Sequence, residues 1–413
     1  MLAHLDMPFD RVDPVSGQFT CLASGAGAPR VLAVARWPVG GIRTHLQYNY
    51  IPLSKAGYHF TFVGPDDGSL DTLRAGLGRL EGAEFVGVPL RGQSCRLWPE
   101  VRRQLHIKPI GLIHAHGLTA GVHSAIANFG VNMPLVVTLH EPLRREQFPG
   151  MFGRFKRWVM GKMLRRADRI IAVSADARQN LLTHLPTLHD REKRLVTVPN
   201  GIDTGKYVSA SKRMNNELRQ RLGVGADTVL FGYLGRFMPE KGFLVLLDAL
   251  KLLAKQHGNA RFHLAAFGSG DYRREYQQTI AEQALGRIAT LFDFVPDVQP
   301  ILADLDLVVV PSLWEASSLV SMEAMSAGVP VLGSDCPGLR EVLRNTPSTT
   351  VRTGEASALA AGLSRFLEAP WTQQARDFAP SAWERFDSSR SVRQLQELFD
   401  QLVVQSVPLG SAA

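Results

Sequence analysis

Glu315 and Glu323 are the residues of this chain best spaced to act on one ligand together. They lie in the run Asp306-Leu-Val-Val-Val-Pro-Ser-Leu-Trp-Glu315-Ala-Ser-Ser-Leu319-Val-Ser-Met-Glu323-Ala-Met-Ser-Ala-Gly328-Val-Pro330. The β-branched stretch, the polar turn and the small-residue segment stopped by Gly328 and Pro330 predict a buried strand leading into a short helix. A helix that starts near Ser317, Ser318 and Leu319 aims unpaired backbone N–H groups and its positive dipole end at any phosphate there. Two carboxylates beside such a phosphate would repel it unless they had another task. The task they suit is accepting hydrogen bonds from hydroxyls, with the turn acid and the helix acid reaching two different diols. A sugar joined to a nucleotide through a diphosphate carries both. The plainer alternative is a loop acid and a helix-face acid that only meet solvent.

Further candidates sit at other predicted strand ends. Gly235-Arg236-Phe-Met-Pro-Glu240-Lys241-Gly242 follows the apolar run Leu230 to Leu234, so Arg236 and Lys241 are spaced to clamp a diphosphate, the first bidentate and the second as a point charge. Either residue alone would be an ordinary surface turn. The order Gly-x4-Gly-Lys-Ser/Thr is missing, which argues against a nucleoside triphosphatase loop. Gly40 and Gly41 follow the first strand and allow close backbone approach to a ligand, yet they do not form the dinucleotide fingerprint of dehydrogenases. Gly268 ends another strand in Phe267-Gly268-Ser269-Gly270. His114, His116 and His140 end strands as well, in Ile113-His114-Ala-His116 and Val137-Thr138-Leu-His140-Glu141. They also fit a metal set, but no further ligand stands at metal-like spacing, and hydrogen bonding is the better reading. No bound metal is expected.

These motifs, in this order, resemble the retaining GT-B glycosyltransferases, and in particular glycosyltransferase family 4 (glycosyl transferases group 1). The resemblance spans about residues 30 to 400. It implies an α/β fold of two Rossmann-like doubly wound domains facing a cleft, and an enzyme that moves a sugar from a nucleotide diphosphate donor to an acceptor hydroxyl without a metal. By the same resemblance Glu315 contacts the transferred sugar and Glu323 the ribose. Arg236 and Lys241 neutralise the leaving phosphates, and His140 meets the sugar. Gly40, Gly41, Gly268, Ser317, Ser318 and Leu319 lie along the donor, while His114 and His116 are structural. The family often carries glycines or an aromatic where this chain has Ala316, Ser317 and Ser318, which points to a differently shaped sugar pocket. A UDP-sugar is favoured as co-substrate because it is the commoner family donor, with a GDP-sugar as the alternative, and no other cofactor is implied. Two competing readings are a sugar-nucleotide epimerase of the same fold and a non-catalytic protein that binds nucleic acid or lipid through its charge.

The 413 residues, 45% hydrophobic and 20% charged, suffice for two full cores and show no bias to disorder. The expected organisation is an irregular extension over 1–29, a first domain over 30–203, a polar crossover over 204–225, a nucleotide-binding domain over 226–375, and a segment 376–413 whose helix, about Ser381 to Val404, packs back on the first domain. Cys21, Cys95 and Cys336 are too scattered for a disulfide scaffold, and neither an apolar span nor a leader pattern is present, so a cytoplasmic location is expected. The net charge of +8 favours an anionic partner. Basic residues cluster between Arg144 and Arg169, where Arg154, Lys156 and Arg157 interleave with Phe152, Phe155, Trp158, Val159 and Met163. Phe155, Val159 and Met163 recur every four residues, which predicts a basic amphipathic helix able to lie on an anionic membrane, or else one whose apolar side faces its own domain. The expected partners are a nucleotide sugar, a lipid-linked or saccharide acceptor and the inner membrane surface, with no nucleic acid. The pathway expected is cell-surface polysaccharide, lipopolysaccharide or glycolipid synthesis.

Overall fold

A computed structural model describes residues 29–78, 80–90, 96–208, 216–258 and 261–405. The N-terminal extension up to residue 28 lies outside them, as do Cys21 and Cys95; Cys336 is a buried free thiol.

Apolar runs, buried along the central strands and half-buried at the sheet edges, build two separate parallel sheets. The first contains β1 (Arg30–Ala35), β2 (His59–Pro65), β3 (Glu84–Val88), β4 (Ile110–His116), β5 (Leu135–Leu139), β6 (Arg169–Ala172) and β7 (Leu195–Thr197), in the order β3-β2-β1-β4-β5-β6-β7. The second contains β8 (Val229–Leu234), β9 (Phe262–Phe267), β10 (Ala289–Phe292), β11 (Leu307–Val310), β12 (Val331–Ser334) and β13 (Thr349–Val351), in the order β10-β9-β8-β11-β12-β13. Alternation along each strand feeds a core on both faces. Leu32, Val34, Ile113 and Val137 pack to one side of the first sheet, while Val31, Ala33, Leu112 and Val136 pack to the other. Each buried Val, Leu or Ile among these contributes roughly 1.5–3 kcal/mol, so burial on two faces explains why the central strands read as unbroken apolar runs.

The strand orders locate the chemistry. In each sheet the winding reverses beside the first strand, between β1 and β4 and between β8 and β11, and doubly wound sheets open a crevice at that point. Gly40 and Gly41 follow β1, His114 and His116 end β4, Arg236 and Lys241 follow β8, and Glu315 follows β11.

Three expectations change on contact with the structure. The single helix expected over about Ser381 to Val404 is two helices, Thr372–Phe386 and Ser389–Gln405, broken at Asp387 and Ser388. Asp387 leaves the helical region, at φ −62° and ψ 130°, and its carboxylate accepts from Ser389 N at 2.8 Å and from Thr204 Oγ1 at 3.0 Å. The first of these helices stays with the second half, through Ala382 and Phe386. Only the second reaches the first half, where Val392, Leu395, Phe399 and Leu402 enter its core. The crossover 204–225, expected to be irregular, contains short helices at Gly205–Val208 and Glu217–Leu222. The apolar stripe of the basic helix is also displaced, as described below. No helix among the described residues is long and apolar enough to cross a membrane.

Candidate active site

The turn after β8 and the turn after β11 are fastened together. Leu313 N donates to Glu240 O at 2.8 Å, and Gly242, at φ +66°, passes so close to the backbone of Pro311 that a Cβ would stand 2.0 Å from its carbonyl oxygen. Glycine is required there on both counts. This contact brings Lys241 Nζ to 2.6 Å from Glu315 Oε1, which also accepts from Ser312 Oγ at 2.8 Å. The two motifs read separately from the sequence are therefore one largely buried ion pair. Arg236 lies closer to solvent, its guanidinium 3.2 Å from Glu240 and 3.8 Å from Glu141 of the first half. Gly40, at φ +53°, faces it across the cleft: a Cβ there would stand 3.7 Å from Arg236 Cδ. Gly41 opens the helix Gly41–Lys55. Gly268 is needed for packing, since a Cβ would fall 2.0 Å from Gly235 O.

The helix after β11 spans Leu319–Ser326 and is capped by Ser318, whose hydroxyl accepts from Ser321 N at 3.4 Å. Ser317 precedes the cap in the turn. Glu323 sits on the buried side of this helix, 8% exposed, and burial pushes its carboxyl up to about 7 against the hydrogen bonds that Tyr207 and Tyr48 donate and the nearby charge of Lys206. Tyr48 comes from helix Gly41–Lys55 of the first half and Tyr207 from the crossover. Neither carries any signal in the sequence, because both are remote from Glu323 and in no motif with it.

On the first half, His140 Nε2 lies 3.1 Å from His116 Nδ1, and the ring of His45 meets His140 edge-on at 4.8 Å between centroids. His45, on helix Gly41–Lys55, was missed in the sequence although it follows the glycine pair by one turn; its Nδ1 is 3.0 Å from Asn200 Oδ1, and its buried Nε2 has no hydrogen-bond partner among the described residues. Burial holds His114, His116 and His140 well below the ordinary imidazole range, and it brings His45 down to about 4, so all four are neutral near pH 7. One ring nitrogen each of His45, His116 and His140 could serve a metal, and these atoms lie within 4.8 Å of one another. The His116 Nδ1–His140 Nε2 pair, 3.1 Å apart, is at hydrogen-bonding distance.

The halves meet through reciprocal caps. Asp176 accepts from Gly338 N at 2.9 Å and binds Arg340 through both oxygens, at 2.9 and 2.7 Å. Glu341 in turn accepts from Ala175 N at 3.1 Å and Asp176 N at 3.0 Å, and Ser174 Oγ donates to Ala316 O at 2.7 Å. Each half thus supplies the carboxylate that satisfies a helix N-terminus of the other.

Arg154, Lys156 and Arg157 lie on the helix Gly150–Leu164. Of the expected stripe Phe155, Val159 and Met163, only Phe155 is exposed. Met160 and Met163 pack against the first core, whereas Met151, Phe152, Phe155 and Trp158 are 85%, 80%, 60% and 52% exposed. The reason is local: Gly153, Gly161 and Leu164 are buried and set the inward face, which turns the large apolar residues outward beside the basic ones.

Two doubly wound halves whose crevices open on one cleft define the GT-B class, and comparison with known proteins agrees. Residues 39–206 match the family described as Glycosyltransferase Family 4, and residues 228–369 match Glycosyl transferases group 1. The chain is 30% identical over 310 residues to the D-inositol 3-phosphate glycosyltransferase of Thermomonospora curvata, which covers 70% of this chain and 71% of that one. It is 28% identical over 269 residues to the alpha-maltose-1-phosphate synthase of Mycolicibacterium smegmatis, covering 62% and 68% of the two chains. The crystal structure of Anabaena HepE in complex with UDP matches with a TM-score of 0.74 at 25% identity, over 90% of this chain and all of that one. The chain belongs to the family 4 glycosyltransferases of the GT-B fold.

Proposed function

We propose that this glycosyltransferase moves a sugar, with retention of configuration and without a metal, from a uridine diphosphate sugar to an acceptor hydroxyl. The observation that carries the reading is that Arg236 faces Gly40 and lies 3.8 Å from Glu141, the residue after His140, while the turn after β8 is fastened through the Lys241–Glu315 pair to the turn that leads into the helix capped by Ser318. In the mechanism this suggests, the bond between the anomeric carbon and the diphosphate loosens and the diphosphate leaves with the electron pair. Arg236, Lys241 and the backbone N–H groups from Ser317 to Leu319 stabilise its growing charge. The acceptor oxygen bonds to the same face of the sugar, and its proton passes to a phosphate oxygen of the leaving group. Glu315 and His140 hold the sugar, Glu323 accepts from the ribose hydroxyls, and Gly40, Gly41 and Gly268 let backbone approach the donor. Two cations and a helix end supply the positive charge that a divalent ion supplies elsewhere.

Uridine is favoured because HepE, similar along almost its whole length, was crystallised with UDP. A thermal-shift panel of UDP, GDP and ADP should show the largest rise with UDP, and turnover should be unchanged by EDTA. A larger shift with GDP reassigns the base; strict dependence on magnesium or manganese rejects the metal-free mechanism.

The outward face of helix Gly150–Leu164 supports an acceptor at a membrane surface, in polysaccharide, lipopolysaccharide or glycolipid synthesis at the inner leaflet. Exposed Met151, Phe152, Phe155 and Trp158 with Arg154, Lys156 and Arg157 are the mixture that interfacial helices present to anionic lipid. Vesicles containing phosphatidylglycerol should therefore pull the protein down at low salt and release it as screening rises. Replacing Arg154, Lys156 and Arg157 together with glutamine should weaken that binding and spare turnover on a soluble acceptor. Unaltered sedimentation of the triple variant would move the acceptor towards small soluble molecules.

A further inference from the structure

His140 stands at the end of a buried chain of hydrogen bonds. Side chains alternate along a strand, so His114 and His116 of β4 point to the same side of the first sheet, as do Thr138 of β5 and His140 just beyond it, and the sheet register sets His116 beside Thr138. Helix Gly41–Lys55 crosses that side and lowers Tyr50 between the two histidines. The links are continuous: Thr138 Oγ1 to His114 Nε2 at 2.7 Å, His114 Nδ1 to the Tyr50 hydroxyl at 2.7 Å, that hydroxyl to His116 Nε2 at 2.8 Å, and His116 Nδ1 to His140 Nε2 at 3.1 Å. Thr138, His114 and Tyr50 are 0% exposed.

A neutral imidazole has one N–H and one lone pair, and a hydroxyl has one proton to give. Each group in the chain therefore donates once, and all links can be made only if every proton points the same way. The direction is set at the buried end. Among the described residues the Thr138 hydroxyl has His114 Nε2 as its hydrogen-bond partner, so its proton is satisfied only by pointing into the chain. From there His114 donates through Nδ1 to Tyr50, Tyr50 to His116 Nε2, and His116 through Nδ1 to His140 Nε2. The proton of His140 is left on Nδ1.

We propose that Thr138, His114, Tyr50 and His116 are positioning residues that lock His140 in the Nδ1–H tautomer, as a hydrogen-bond donor to an oxygen of the donor sugar. The sugars accepted are then those that present an oxygen at that position. The proposal rests on the placement of His140 beside the sugar, given above. The lock matters because imidazole in water prefers the opposite tautomer, and the ring nitrogen that carries the proton is decided by what the other nitrogen bonds.

Long-range proton–nitrogen correlation spectra of the full chain with 15N-labelled histidine read the tautomer without turnover, so they separate failure of this proposal from failure of the transferase reading. With its signals assigned through His140→Gln, His140 should show a protonated Nδ1 and a bare Nε2. Tyr50→Phe removes the shared hydroxyl at nearly constant volume; it should return His140 to a mixture of tautomers and lower kcat about tenfold, with UDP affinity changed less than about twofold. Thr138→Val removes the proton that sets the direction and should act the same way, which keeps the test open if Tyr50→Phe does not fold. A protonated Nε2 on His140 in the unmutated chain overturns the proposal. So does a His140 tautomer that survives both substitutions, and so does one equivalent of zinc per chain by elemental analysis with metal-type nitrogen shifts.

Discussion

Arg236→Ala and Lys241→Ala should each slow sugar transfer by ~100-fold or more, because each removes a positive charge that the leaving diphosphate meets in a site of low polarity. The two variants differ in what they leave behind. Arg236 is partly exposed and its contacts to Glu240 and Glu141 are long, so its loss should leave the melting temperature near that of the parent. Lys241 is the ion-pair partner of Glu315, with the two side chains 22% and 12% exposed, and removing it leaves a largely buried carboxylate without its counter-charge, at a cost of about 1–3 kcal/mol. Lys241→Ala should therefore lose both activity and thermal stability. Steady-state rates and melting curves of the two proteins decide the matter. Full activity in either variant removes that residue from the diphosphate clamp, and equal melting temperatures would mean that the Lys241–Glu315 pair is not the buried contact described.

Glu315→Gln and Glu323→Gln should separate the two ends of the donor. Glu315 is proposed to face the sugar, so its amide should mainly lower kcat; Glu323 is proposed to face the ribose, so its amide should mainly weaken nucleotide affinity, by about tenfold or more for a lost charge-assisted hydrogen bond. Acidity gives a second handle. Burial raises the Glu323 carboxyl to about 7, so it is protonated below that pH and ionised above it. The ionised form is the stronger acceptor. UDP affinity of the parent should then rise between about pH 6 and about pH 8 relative to Glu323→Gln, which lacks the titrating group. Calorimetric titrations across that range test the sign. Parallel pH profiles for parent and variant would take Glu323 out of the nucleotide site, and small equal effects of both amides would reduce the pair to acids without a ligand.

Much of this architecture was legible because parallel strands covered on both faces must be apolar throughout, so β1, β2, β5, β8, β9 and β11 stand out as runs ending in glycine or polar turns. The turns themselves were legible too: Gly40-Gly41, Gly235-Arg236 with Lys241, and Glu315 with Glu323 each combine strand, loop and helix within a few residues. What the sequence hid depends on strand order. Lys241 and Glu315 are 74 residues apart and meet because β8 and β11 are neighbours. His45 and Tyr50 stand in no motif, and His114 and His116 read as a structural element, because nothing local shows that the helix Gly41–Lys55 crosses the ends of β4 and β5. Short strands such as Val331–Ser334 and Thr349–Val351 offer too few residues for a period to declare itself. The break at Asp387 was hidden for another reason: apolar residues on both sides keep helical spacing, and the cause of the break, a contact with Ile202, lies far away in the chain.

That contact also governs how the two halves can move. The chain passes between them twice, and the passages touch: Ile202 N donates to Phe386 O at 2.8 Å, Ser388 N donates to Ile202 O at 2.9 Å, and Gly201 runs so close to Ser388 that a Cβ would fall 2.6 Å from its Cα. A single tether would act as a swivel, leaving rotation free about every axis. Two strands laced side by side act as a door hinge, which folds along one line and resists torsion about the axis joining the halves. Any opening of the gap between the Gly40 loop and Arg236 along that line would keep the two loops in register.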